Sequence, residues 1–325
     1  MLEQKIFNIN SEKEFKQTAL EVFKHQFYNN KAYRSYCDLL YIHPSDINEI
    51  EDIPFLPIEF FKSKKILSSN KGIETTFSSS GTTGSITSKH YINDLSLYQK
   101  SYLKSFSHFY ENPEDYIILA LLPSYLERQG SSLIYMVDDL IRKTKQPESG
   151  FYLNNLDQLS ETINKLESLN KKTLLIGVSF ALLDLIEKYQ FQLKNTIVME
   201  TGGMKGKRKE MIRTELHHYL SKGFGVEYIH SEYGMTELLS QAYSKGNGIF
   251  SCPPWMKILT RDTEDPLSVQ TKNKTGGINV IDLANINSCS FIATQDLGRT
   301  LNNNTFEIIG RFDNSDIRGC NLMTL

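Results

Sequence analysis

Seven consecutive small residues, Ser78-Ser79-Ser80-Gly81-Thr82-Thr83-Gly84, join hydroxyl and glycine chemistry in a form suited to polyphosphate. Glycine lets the backbone approach a ligand closely, converging N–H groups cradle an anion, and hydroxyls add short donors. The run does not fit Gly-x-x-x-x-Gly-Lys-Ser/Thr, so it is not a Walker-type loop. Taken alone, it also reads as a solvated linker. A second cluster is His230-Ser231-Glu232-Tyr233-Gly234-Met235-Thr236-Glu237. Its tyrosine ring can stack on a base, its threonine hydroxyl can donate to phosphate, and the Glu237 carboxylate can hold Mg²⁺. The alternative is a strand-to-helix turn capped by Ser231 or Thr236, with Glu237 in the first turn. Thr201-Gly202-Gly203-Met204-Lys205-Gly206 offers another glycine turn. Thr294-Gln295-Asp296-Leu297-Gly298 offers a carboxylate for ribose hydroxyls, and Gly310-Arg311-Phe312-Asp313 puts a cation after a glycine. Each of these three is by itself an everyday surface turn; together with the Ser/Gly loop and the tyrosine cluster they point to ATP chemistry.

Such residues need a scaffold that brings loops together. Ser11 and Glu14 form a capping box, and Phe15, Ala19, Val22, Phe23 and Phe27 follow at helical spacing, so an amphipathic helix with an aromatic core stripe opens the chain. The prolines of Ile53-Pro54-Phe55-Leu56-Pro57 impose an extended segment. From Tyr116 onward, apolar runs at 117–122, 173–178, 196–199 and 226–229 alternate with helical patterns at 131–142, 181–189 and 207–220. Strands without polar alternation are covered on both faces, which predicts an α/β fold with a mostly parallel sheet flanked by helices. The Tyr233–Glu237 motif then lies after a strand and before a helix over 238–243. It sits where open α/β sheets bind ligands. Beyond Gly246 short strands and turns predict a β-rich subdomain, giving regions 1–245 and 246–325.

Composition excludes several classes. The 325 residues are 40% hydrophobic and 23% charged with a net charge of −2, so no basic field attracts nucleic acid or an anionic membrane. The longest apolar stretch, near Ile117–Leu122, is too short to span a bilayer, and residues 1–10 lack a secretory core. Four scattered cysteines without a C-x-x-C pair suggest neither zinc nor disulfides, which predicts a cytoplasmic protein. Cys252 and Cys289 read as buried structural thiols. His217 and His218 read as solvated helix residues, and His230 as either a site-lining or a core histidine.

In order and together, the Ser/Thr/Gly loop, Tyr-Gly-Met-Thr-Glu, Thr-x-Asp-x-Gly and Gly-Arg-x-Asp resemble the adenylate-forming superfamily of acyl-CoA synthetases and firefly-type luciferases. Phe55-Leu56-Pro57, Phe61-Lys62, Leu122-Pro123-Ser124-Tyr125 and Arg318-Gly319-Cys320 bring the chain closer to the acyl-protein synthetases of bacterial bioluminescence. The resemblance implies the large N-terminal domain of those enzymes, with ATP and Mg²⁺ as cofactors. It also implies conversion of a carboxylic acid, a fatty acid above all, into acyl-AMP, then acyl transfer to a protein cysteine on an acyl-accepting partner or to coenzyme A. In that scheme Ser79, Ser80, Gly81, Thr82, Thr83 and Gly84 wrap the β- and γ-phosphates, Thr236 meets the α-phosphate, and Glu237 binds Mg²⁺. Tyr233 flanks adenine opposite Gly202 and Gly203, Asp296 takes the ribose hydroxyls, and Arg311 takes ribose or phosphate.

Two departures stand out. Gly84 is followed by Ser85-Ile86-Thr87-Ser88 where the superfamily commonly has Pro-Lys, and the chain given ends at Leu325, before the mobile lid that carries an adenylation lysine. Lys89, Lys205, Arg311 or a residue from a partner are the candidate replacements. Cys320 follows Arg318-Gly319, a cation favours its thiolate, and glycine lets the chain reach into a cleft. Its expected role is a thioester relay; packing as a small hydrophobe is the alternative. Leu122–Tyr125, Ser131-Ser132 and Gly177–Phe180 are candidates for the acyl pocket. Two other functions fit the same residues: an acyl- or aryl-CoA ligase of the phenylacetate type, and a non-catalytic nucleotide-binding subunit.

Overall fold

The computed structural model describes residues 2–79, 86–123, 130–202, 208 and 211–312. Up to Ser69 the elements are α1 (Leu2–Ile6), α2 (Glu12–Asn29), α3 (Lys31–Leu39), β1 (Leu56–Pro57) and α4 (Phe60–Ser63). Next come β2 (Thr75–Ser78), β3 (Lys89–Ile92), α5 (Leu95–Tyr110), β4 (Ile117–Leu121), α6 (Ser132–Thr144), β5 (Gly150–Phe151) and α7 (Leu156–Ser168). They are followed by β6 (Thr173–Val178), α8 (Ser179–Lys188), β7 (Thr196–Thr201), α9 (Arg213–Phe224), β8 (His230–Tyr233), β9 (Ala242–Ser244) and β10 (Ile249–Ser251). The chain continues through β11 (Met256–Arg261), β12 (Gly276–Asp282), β13 (Phe291–Thr300) and β14 (Thr305–Arg311).

Two units result, one from Met1–Ser69 with Pro254–Leu325, the other Asn70–Pro253. The division differs from the boundary expected at residue 245, because the first helices pack on the last strands. In the first unit β11, β12, β13 and β14 form an antiparallel sheet, and β1 adds in parallel to β13 with Leu56 beside Ile292. The α2 stripe of Phe15, Ala19, Val22, Phe23 and Phe27 is buried as its spacing predicts. On that face the Gln26 amide donates to the carbonyls of Asn285 and Ile286, and accepts from the Ser290 backbone N–H at 2.9 Å. A buried polar side chain thereby satisfies the irregular stretch between β12 and β13. Cys289 and Cys37 are buried there, and desolvation pushes both thiols up to about 12, which makes them unreactive.

In the second unit β5, β4, β6, β7 and β8 run parallel, and β9 and β10 extend the sheet antiparallel. Every residue of β4 and β6 is buried, the signature of a sheet covered by helices on both faces. Gly177 on β6 is a packing requirement, since a Cβ there would lie 2.8 Å from that of Leu121. The hairpin of β2 and β3 stands apart from this sheet. Among the described residues no helix is long and apolar enough to cross a membrane.

Candidate active site

On the central sheet, β7 and β8 are parallel neighbours, with Glu200 opposite Ser231 and Thr201 opposite Glu232. The chain therefore leaves both strands at the same carboxyl edge, one turn starting at Gly202 and the other at Gly234. Gly202 adopts φ +67°, and the Ser179 hydroxyl at the start of α8 donates to its carbonyl at 2.7 Å. Gly203 lies outside the described residues.

The strand bearing the tyrosine motif is shifted from its expected place. Residues 226–229 are not strand, and His230–Tyr233 are. Tyr233 ends β8 buried, its ring edge-on to Phe250 at 6.0 Å. Gly234 makes the turn, and a Cβ there would fall 2.5 Å from Glu232 Oε1. Thr236 is half-buried and Glu237 buried, with Leu238 N–H donating to the Met235 carbonyl at 3.1 Å.

The helix expected over 238–243 does not form. Leu238, Leu239, Ser240 and Gln241 are all buried, without the one-sided pattern of a surface helix. Helix α5 supplies their polar partners: Ser101 Oγ meets Ser240 Oγ at 3.0 Å, and Ser105 donates to the Gln241 carbonyl at 3.4 Å. The chain then returns as β9, with Tyr243 opposite Glu232.

The hairpin of β2 and β3 brackets the Ser/Gly loop. Ser79 N–H donates to the Ser88 carbonyl at 3.2 Å, and Ser88 N–H donates to Ser79 Oγ at 3.0 Å. Ser80, Gly81, Thr82, Thr83 and Gly84 lie outside the described residues, as do Lys205 and Cys320. Lys89 is exposed at the start of β3. The next residue, His90, is fully buried, and its Nδ1–H donates to the Thr236 carbonyl at 2.9 Å. His90 is not among the residues that the motifs single out; its one signal in the sequence is a histidine at the inward position of a short strand that directly follows the loop.

Charges divide across the two faces of the sheet. On one face Glu200 lies 3.5 Å from both Arg213 Nε and His217 Nε2. His217 is thus largely buried against a carboxylate, not solvated as expected, while His218 is exposed. On the other face Glu232 accepts from the Thr201 hydroxyl at 2.6 Å, and burial raises its pKa to about 7. His230 Nδ1 and the Tyr110 hydroxyl are hydrogen-bonded at 3.0 Å, and burial lowers the histidine's pKa to about 4, which fits a neutral, satisfied core histidine. Cys252 is half-buried, less enclosed than expected.

In the other unit Asp296 on β13 stands opposite Arg311 on β14. Arg311 Nε is 3.2 Å from Asp296 Oδ1; the arginine side chain is 71% exposed and the aspartate 11%. A further cation, one that no motif in the sequence marks, is bonded to β12 and β13. Buried Arg261 donates to the carbonyls of Ile278 and Thr294 and to Asn279 Oδ1, fixing β12 and β13 around Asp296. Gly277 is what makes room, since a Cβ there would lie 2.5 Å from the guanidinium carbon.

Among the described residues no group of three or more His, Cys, Asp or Glu could hold a metal ion. A single buried carboxylate such as Glu237 suits a Mg²⁺ that keeps its waters and arrives on nucleotide phosphates. The stretches expected to line an acyl pocket are mainly core: Leu122, Ser131, Ser132, Val178, Ser179 and Phe180 are buried, and Ser124 and Tyr125 lie outside the described residues. A small apolar void opens elsewhere, between α5, α6 and the sheet, bounded by Phe106, Met136, Ile176, Met199 and Tyr243.

Residues 5–112 match the acyl-protein synthetase family LuxE. A "Long-chain-fatty-acid--luciferin-component ligase" of Photorhabdus luminescens is 40% identical over 74 residues, which are 22% of this chain and 63% of that protein. The chain therefore spans less than two thirds of that relative. Among solved structures, a 2-hydroxyisobutyryl-CoA ligase in the postadenylation state with 2-HIB-AMP superposes with a TM-score of 0.66 at 12% identity, over 94% of this chain and 69% of the other. ATP-bound MatB from Rhodopseudomonas palustris superposes with a TM-score of 0.54 at 18% identity, over 75% and 49%. The chain thus shares its fold with these solved structures, along nearly its whole length for the first of them, and its residues 5–112 match the acyl-protein synthetase family.

Proposed function

We propose that this chain joins a carboxylic acid to AMP at the expense of ATP and then passes the acyl group to a thiol. In the first step a carboxylate oxygen attacks the α-phosphorus, a P–O bond forms, and the bond to pyrophosphate breaks. The site must hold two anions together and neutralise the charge that grows between them. The observation that supports this reading is the common carboxyl edge of β7 and β8. There the Gly202 and Gly234 turns lie side by side, and Thr236 and Glu237 follow directly.

Each residue then has a role. Ser79 to Gly84 hold the β- and γ-phosphates, the Thr236 hydroxyl donates to the α-phosphate, and Glu237 binds the Mg²⁺ that offsets phosphate charge. Tyr233, Gly202 and Gly203 flank adenine; Asp296 binds ribose hydroxyls and Arg311 ribose or phosphate. Cys320 accepts the acyl group as a thioester, with loss of AMP, and gives it to a partner protein. The curated relative's name favours a long-chain fatty acid as the substrate class. A second reading, coenzyme A as the final acceptor, is favoured by the 2-hydroxyisobutyryl-CoA ligase complex that contains 2-HIB-AMP and CoA. Exchange of labelled pyrophosphate into ATP, driven by a panel of carboxylic acids, tests the first step without reference to the acceptor. Acid-dependent exchange is expected; none with any acid would refute the proposal.

A further inference from the structure

We infer that His90 is a positioning residue that sets the place of the Thr236–Glu237 turn against the strand following the Ser/Gly loop. The inference rests on the adenylation reading for its kinetic consequence, but its structural content stands on geometry alone. Along β3 the burial pattern is exposed, buried, half-buried, buried, so His90 and Ile92 face inward, and His90 is opposite buried Phe77. Period-two alternation calls for an apolar side chain at such a position. An imidazole buried there is costly unless its N–H is paired.

The partner is the Thr236 carbonyl at 2.9 Å, 146 residues away in sequence. A carbonyl only accepts, so the proton must sit on Nδ1. Thr236 belongs to neither β8 nor β9, so no ladder position fixes it, and the histidine supplies what the ladder does not. Through this bond the backbone carrying the Thr236 hydroxyl and the Glu237 carboxylate is tied to β3, whose preceding residue Ser88 closes onto Ser79. A displacement of about 1 Å at such a site can cost roughly 100-fold in rate.

Two variants separate the hydrogen bond from simple filling of space. His90→Leu keeps apolar volume and removes the donor; His90→Asn places an amide N–H near the Nδ1 position. In pyrophosphate exchange, H90L should lose about 10- to 100-fold in kcat with the KM for ATP within about threefold, while H90N stays within about threefold of the wild type. Hydrogen–deuterium exchange of a peptide spanning residues 233–241 should speed up in H90L and not in H90N. Unchanged kcat in H90L, or equal loss in both variants, overturns the inference. If the wild type shows no exchange with any acid, the adenylation reading fails, and hydrogen–deuterium exchange decides about His90 by itself: selective loosening in H90L supports the tie, and identical protection in all three proteins overturns it.

Discussion

The Thr201 hydroxyl donates a 2.6 Å hydrogen bond to Glu232 across adjacent parallel strands, at the edge where both strands deliver their turns. The neighbouring carboxylate on the other face, Glu200, has Arg213 and His217 beside it. Among the described residues Glu232 has no such cation beside it, and its pKa rises to about 7 through desolvation, with a smaller contribution from the charge of Glu200.

This makes stability depend on pH with a definite sign. The unfolded carboxyl loses its proton near the ordinary glutamate value of 4.5, whereas the folded one keeps it to about pH 7. Between these values the folded state binds more protons, so stability falls as pH rises through the window. The contribution lost is on the order of 3 kcal/mol. Glu232→Gln, neutral at every pH, should remove this component and be more stable than the wild type at pH 8. Urea midpoints at pH 5 and pH 8 check it; equal pH slopes in the two proteins would contradict it.

Asp296 and Arg311 should separate in their effects. Their ion pair is largely exposed on the arginine side, so Arg311→Gln should shift stability by less than about 1 kcal/mol in urea unfolding. If Asp296 holds ribose hydroxyls, the wild type should prefer ATP over 2′-deoxy-ATP by roughly 10- to 100-fold, the worth of one hydrogen bond to a charged group. Asp296→Ala should treat the two nucleotides alike. Retained discrimination in that variant would remove Asp296 from the ribose role.

Much of the fold was legible in the sequence because its signals are local or periodic. The Ser11 cap, the α2 stripe and the apolar strands β4 and β6 follow from spacing alone. The segment 238–243 misled because Leu238 and Leu239 resemble the start of a helix, whereas α5 captures the buried backbone and serines. Buried polar partners were the least legible class. Nothing in the spacing of His90 and Thr236 predicts a bond across 146 residues, and Arg261 looks like any strand arginine until Gly277 is seen to leave it room. The site turns were readable because glycine, hydroxyl and carboxylate fall within a few residues of one another.

The thioester step makes a separate prediction. Incubation with ATP and a labelled fatty acid should leave a hydroxylamine-sensitive label on Cys320, and Cys320→Ser should lose it while keeping pyrophosphate exchange. Cys37 and Cys289, buried and with raised pKa values, should stay unlabelled. Equal labelling of the serine variant would exclude the relay, and release of product only with coenzyme A would favour the second reading.

Pyrophosphate exchange in the wild type beside Glu237→Gln reads out the chemistry assigned to the turn after β8. Carboxylic acid-dependent exchange is expected in the wild type and a loss of about 100-fold or more in the variant, with unfolding midpoints little changed. Exchange at full rate in E237Q would remove the turn after β8 from the chemistry. No exchange in the wild type with any acid, despite ATP binding, would contradict adenylation itself.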